Sequence, residues 1–212
     1  MNKLLILGAG GNGKVIAETA MSCNFFEEIQ FLDDNFNTKK QNNLSKLEII
    51  GPLESIYDTK IKNKFSYAIV SISDHKLRSK WFNFLEEESF HLKPIIHRSA
   101  YVSKSSKLGN GTVVYPKACI QSDSLIGKGV FLNTNCCVEH DSFIGDFVHI
   151  CPGSNLGGNV RIGKGSWIGI GSSIIQGIKI GEEVLLGAGS VVIKDLPDTV
   201  KAVGNPAKII KK

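Results

Sequence analysis

From Ile96 to Val192 every sixth residue is Ile, Leu or Val, seventeen times without a gap. Four residues after each stands a mostly small one, such as Ala118, Ser124, Ser142, Ser154, Ser166 or Ser190. A period of six matches neither the 3.6 of a helix nor the simple alternation of a strand. It is the mark of a hexapeptide-repeat parallel β-helix, in which each repeat forms one flat face of a coil. Three repeats make an eighteen-residue triangular coil, so the row implies between five and six coils, stacked roughly 4.8 Å apart. The aliphatic residues are expected to point inward and the small ones to let the chain turn the corners. The glycines of Ile126-Gly127, Ile144-Gly145, Ile162-Gly163 and Ile180-Gly181 are expected to relieve tight backbone geometry at those corners. An ordinary β-sandwich would need irregular spacing instead.

The formal charge is +5, with the lysines scattered along the chain. That fits a solvated surface and argues against a nucleic-acid partner. The five cysteines contain no CxxC pair, which points to a reduced, cytoplasmic setting. The N-terminus enters a strand at once, so no signal peptide is expected, and no apolar run approaches the ~18 residues of a membrane span.

Residues 1–92 read as a separate α/β domain, with the β-helix domain occupying 93–212. Leu4–Leu7 is an apolar run expected to form a buried parallel strand. Gly8-Ala9-Gly10-Gly11-Asn12-Gly13 follows, then a helical pattern from Lys14 to Cys23. A second strand, Glu28 to Leu32, ends in Asp33-Asp34, and a polar loop runs from Asn35 to Lys46. Leu47 to Ile50 leads through Gly51-Pro52 to a short helix ending at Tyr57. Phe65 to Ile72 is another strand, and Asp74 caps a helix reaching about Glu88. Alternating strands and helices imply an open parallel sheet, half of a dinucleotide-binding fold. The glycine sequence lies between strand and helix, as the dinucleotide fingerprint requires. The domain is too short for two mononucleotide halves, so one nucleotide diphosphate, carried by a nucleotide-sugar, fits better than NAD. A glycine turn that merely joins strand to helix stays open, as does a purely structural place for Asp33 and Asp34.

Chemistry in the repeat region concentrates at Asn133–Asp141. His140 falls two positions after inward-facing Val138, which places it on an exposed face or corner. Gly158, eighteen residues on, should lie one strand spacing away. A base beside a bare backbone N–H suits acyl transfer, because the amide can stabilise a tetrahedral oxyanion. Asp141 would fix the imidazole tautomer and raise its basicity, and His149 is a further candidate for ligand contact.

The whole chain resembles the nucleotide-sugar and sialic acid acetyltransferases of the PglD/NeuD type. The matching pieces are GAGGNGKV at Gly8–Val15, FLDD at Phe31–Asp34, the Gly51-Pro52 turn, EHDSFIGDFVHICPG at Glu139–Gly153 and VGNPAK at Val203–Lys208. The resemblance implies a left-handed β-helix, a homotrimer, and acetyl-CoA bound between neighbouring prisms, with no metal. It assigns His140 as general base, Asp141 as the acid behind it and Gly158 as the amide facing the oxyanion. It further assigns His149, Ile170 and Ala188 to acetyl-CoA, and Gly10, Gly11, Asn12, Asp33, Asp34 and Gly51 to the nucleotide-sugar. Asn12 stands where the family often has His, and Asp141 is shorter than the Glu of some members.

The expected reaction is direct N-acetylation of the 4-amino group of a nucleotide-linked 4-amino-4,6-dideoxysugar, with UDP the favoured nucleotide, for glycan biosynthesis. GDP- or dTDP-linked amino sugars and O-acetylation of a sialic acid are the alternatives. A covalent cysteine intermediate is a rival mechanism. A γ-type carbonic anhydrase, a nucleotide-sugar-binding scaffold and a purely structural β-helix are rival classes. The positions of His97, His140 and His149 do not match the zinc-binding set of the first.

Overall fold

A computed structural model describes residues 2–36 and 47–211. Most of the polar loop expected at 35–46 lies outside them. The chain forms two compact units, Met1–Ile95 and Ile96–Lys212.

The first unit is a four-stranded parallel sheet: β1 (Lys3–Leu7), β2 (Glu28–Leu32), β3 (Ile49–Gly51) and β4 (Tyr67–Val70), in the order β3-β2-β1-β4. Leu4, Leu5, Ile6 and Leu7 are all buried, as expected of a strand covered on both faces. Helix α1 (Gly11–Ser22) follows β1 and buries Ile16, Ala17 and Ala20. It starts three residues earlier than the apolar pattern suggests, because the glycines accept helical geometry before any periodic side chain appears. A 3-10 turn, Leu53–Tyr57, precedes α2 (Thr59–Lys64), a short helix that buries nothing and so leaves no apolar stripe to read. Helix α3 (His75–Glu87) begins at Asp74, whose Oδ1 accepts from the Leu77 amide at 2.8 Å. Strand order reverses between β1 and β4, which opens a crevice at the carboxyl ends of these strands.

The second unit is a left-handed parallel β-helix of two-residue strands in three sheets. Register advances by eighteen: Val138 pairs with Ile120 on one side and Leu156 on the other. From Val114 to Val192 every member of the aliphatic row is buried. Ile96 departs from the expectation at 36% exposure, and Val102 and Leu108 are only half-buried. These three lie in the first coil, where the stack begins.

Two other expectations are corrected. The small residues four after each aliphatic point inward as well: Ser124, Ser142, Ser154, Ser166, Ser172 and Ser190 are buried. Their hydroxyls join coil to coil, as when Ser154 Oγ donates to the Gly169 carbonyl at 2.8 Å. The turns themselves are made by left-handed residues at every sixth position from Gly111 to Gly189, among them Asp123, Asn135, Asp141, Phe147 and Asn159. The glycines at 127, 145, 163 and 181 are not among them. They allow close approach of the next coil: a β-carbon on Gly145 would stand 2.8 Å from the Lys164 amide nitrogen.

The row ends at Val192. The last turn is two residues short, with Ile180 opposite Leu196 and Leu186 opposite Ala202. Residues Lys201–Val203 and Lys208–Lys211 then close the sheet as an antiparallel pair.

Candidate active site

His140 and Asp141 form one corner of a coil, and the turn holds Asp141 at φ +58°. Asp and Asn adopt this conformation more readily than most residues. Asp141 Oδ2 lies 2.8 Å from His140 Nδ1, with both side chains well exposed. A carboxylate only accepts, so Nδ1 carries the hydrogen and Nε2 keeps its lone pair. The hydrogen bond to Asp141 is also the main reason the imidazole pKa is raised above 6.5, with the charges of Asp141 and Glu139 adding to it against a smaller desolvation effect.

One coil on, Gly158 lies against the imidazole. A β-carbon there would stand 2.6 Å from Nε2 and 2.7 Å from Cε1. The neighbouring amides belong to the ladder: Gly157 donates to the Ile174 carbonyl and Asn159 to that of His140. The predicted juxtaposition of His140, Asp141 and Gly158 is therefore present within one chain.

The three residues assigned to acetyl-CoA lie elsewhere on the prism. His149 is buried in an outward row of rings, 5.4 Å from Phe131 and 4.2 Å from Trp167 between centroids. Its Nε2 is 3.2 Å from Asn133 Nδ2. Ile170 and Ala188 are exposed at the corner that follows the His149 strand, stacked eighteen residues apart. One face of the prism, the sheet through Asn155–Leu156, separates that corner from the one bearing His140.

In the α/β unit, a cavity of about 240 Å³ opens where strand order reverses. Gly10, Gly11, Asn12 and Asp33 line it, together with Ser71, Ile72 and Ser73. The glycines have separate duties. Gly8 turns at φ +101°, and a β-carbon on Gly13 would lie 2.2 Å from the Gly8 carbonyl oxygen, so α1 can seat closely against β1. A β-carbon on Gly10 would meet nothing within 4 Å, leaving the backbone at the helix start open to a ligand. Asp33 is buried; its Oδ2 accepts from the Ala9 amide at 2.7 Å and its Oδ1 from Asn35 at 2.8 Å, bracing the glycine turn. Asp34 and Gly51 do not line the cavity. Asp34 Oδ1 accepts from the Leu53 amide at 2.9 Å, and Gly51 gives its carbonyl to Asp33 N. Ser71–Ser73 escaped the sequence reading because a serine pair at a strand end carries no distinctive spacing.

The cysteines fit poorly as nucleophiles. Burial pushes the Cys136 thiol far above its ordinary value and raises Cys151 to about 12. Cys137 is also raised to about 12, by burial first and then by Cys119 and Glu139. Among the described residues no three His, Cys, Asp or Glu side chains converge as a metal site would require.

Residues 3–85 match the family model of the PglD N-terminal domain, and 159–194 match that of the bacterial transferase hexapeptide. Fold and repeats together define a hexapeptide-repeat acyltransferase with an appended α/β unit. The acetyltransferase domain of PglB from Neisseria gonorrhoeae FA1090 is 37% identical, covering 99% of this chain and 100% of that one, at a TM-score of 0.93. The chain belongs to the PglD/NeuD-type family of sugar acetyltransferases. The same PglB domain in complex with acetyl coenzyme A is matched at 38% identity, covering 99% of this chain and 100% of that one, at a TM-score of 0.89. GDP-perosamine N-acetyltransferase from Caulobacter crescentus, a His-to-Ala variant in complex with CoA and GDP-perosamine, is 33% identical, covering 100% and 98% at a TM-score of 0.91. A UDP-N-acetylbacillosamine N-acetyltransferase from Bacillus subtilis (strain 168) is 35% identical over 114 residues, 54% of this chain and about half (51%) of that protein.

Proposed function

We propose that this chain transfers acetyl from acetyl-CoA to the 4-amino group of a nucleotide-linked 4-amino-4,6-dideoxysugar, with UDP the favoured nucleotide, in glycan biosynthesis in the cytoplasm. The observation that carries the reading is the His140–Asp141 pair, its Nε2 lone pair turned toward Gly158. His140 removes a proton as the amine attacks the thioester carbon; the Gly158 amide steadies the oxyanion; CoA leaves as the thiol. The α/β unit takes the nucleotide-sugar, its diphosphate at the glycine-rich start of α1. The names of the relatives, one a UDP-sugar and one a GDP-sugar N-acetyltransferase, support an amino-sugar acceptor but leave the base as our choice.

The placement of Ile170 and Ala188 on a different corner from His140 supports a homotrimer. A second prism laid against the first can bring the acetyl-CoA contacts of one subunit to the base of another. The test is thiol release from acetyl-CoA with a panel of UDP-, GDP- and dTDP-linked 4-amino sugars and a sialic acid, beside the His140→Ala protein. Acceptor-dependent release with one UDP-sugar, lost in the variant, is the expected result. Turnover that survives the substitution in folded protein would remove His140 as base, and release only with the sialic acid would make the enzyme an O-acetyltransferase.

A further inference from the structure

Arg78 is 1% exposed, an unusual place for a guanidinium. It stands in the first turns of α3, and its Nη1 donates to two successive carbonyls, Ile72 at 2.9 Å and Ser73 at 2.8 Å. The carbonyl just before them, Ser71, accepts from Asn12 Nδ2 at 2.7 Å. Three consecutive carbonyls after β4 are thus held by side chains from α1 and α3. The stretch they belong to, Ser71–Ser73, lines the 240 Å³ cavity together with the start of α1, whereas Arg78 does not line it.

Peptide planarity gives this clamp a consequence. In a trans peptide the N–H points opposite to the C=O. With the Ile72 and Ser73 carbonyls turned to the guanidinium, the N–H groups of Ser73 and Asp74 turn the other way. We propose that Arg78 is a positioning residue for the nucleotide-sugar: it aims the Ser73 amide at the ligand's diphosphate, in the cavity that the start of α1 also lines. The function would then rest on two backbone cradles rather than one glycine loop. This inference rests on the nucleotide-sugar reading given above.

The experiment uses the full-length protein, with UDP and GDP as binding probes in calorimetry and steady-state kinetics for both substrates. Arg78→Met keeps length and apolar bulk while removing fork and charge; Arg78→Lys keeps the charge alone. Expected are a rise of roughly tenfold or more in nucleotide Kd and in KM for the nucleotide-sugar for Arg78→Met, with Arg78→Lys between it and the parent. The KM for acetyl-CoA and kcat should stay within about twofold. A residue that only supports the fold would lower the melting temperature and leave the nucleotide Kd of folded protein unchanged, and that result overturns the proposal. Should the Arg78 variants fail to fold, Ser73→Pro removes the aimed amide at an exposed position without touching the core; unchanged nucleotide affinity there also overturns it. If the parent protein binds neither nucleotide nor any nucleotide-sugar, the functional reading itself fails and takes this inference with it.

Discussion

The α-carbon of Gly158 is so close to the imidazole of His140 that a single added methyl would stand 2.6 Å from Nε2. Gly158→Ala therefore has one inexpensive way out: the exposed ring swings aside and gives up its hydrogen bond to Asp141. Turnover should fall at least about 100-fold, the scale of losing a positioned base, while the melting temperature hardly moves because no core group is disturbed. A folded Gly158→Ala protein with normal kcat would show that this corner does no chemistry.

Asp141→Asn tests the acid behind the base. Asn tolerates the left-handed turn, so the backbone should not object. The sign follows from the raised pKa of His140. The base must be neutral to act, so the rate rises with pH through a pKa above 6.5 in the parent. Without the carboxylate that pKa drops, the acid limb of kcat/KM shifts to lower pH, and the alkaline plateau falls because the base is weaker. A pH profile whose acid limb stays in place would sink the assignment.

Ser166→Ala tests the interior of the prism. Ser166 Oγ donates to the Gly181 carbonyl at 2.8 Å and accepts from the Val184 amide at 3.0 Å. Its loss leaves two buried backbone groups short of a partner, at a cost of about 1–3 kcal/mol. Denaturant unfolding should report that loss in the midpoint with little change in slope. An unchanged midpoint would mean that the hydroxyl is dispensable to the stack.

Thiol alkylation separates the two mechanisms. With Cys137 and Cys151 raised to about 12, few thiolates exist at about pH 8, so iodoacetamide should act slowly and activity should survive. Rapid inactivation that acetyl-CoA prevents would favour an acyl-cysteine over direct transfer.

Much of the β-helix is legible because its inner row admits only aliphatic side chains, and an unbroken constraint leaves an unbroken pattern. The left-handed corner residues recur just as strictly, yet no letter marks them. Gly, Asn, Asp, Lys, Glu and Phe147 all occupy that position, since the backbone demands a conformation and the side chain points into solvent or a local gap. Hence the pattern points to the wrong glycines for the turns; the real constraint on those glycines is a neighbouring coil eighteen residues away. The juxtaposition of His140, Asp141 and Gly158 is legible because the period fixes who stacks on whom. Arg78 could not: its importance lies in which carbonyls it meets, and helix α3 without its partners shows only one more basic residue on an amphipathic pattern. Asp34 and Gly51 illustrate the reverse: the motif singles them out, yet they stand outside the cavity lining and each gives one hydrogen bond to the fold.

In the coil, solvent-side chemistry and interior packing occupy different letters of the same six-letter word. Ser122-Asp123, His140-Asp141 and Gly158-Asn159 stand on one edge at successive levels, each with a left-handed second member. The prism would accept many other pairs there without repacking a single aliphatic residue. A lineage built on such a frame can gain, lose or relocate a reactive corner by one or two codon changes, and its evolutionary history should be far more conservative inside the prism than along its edges.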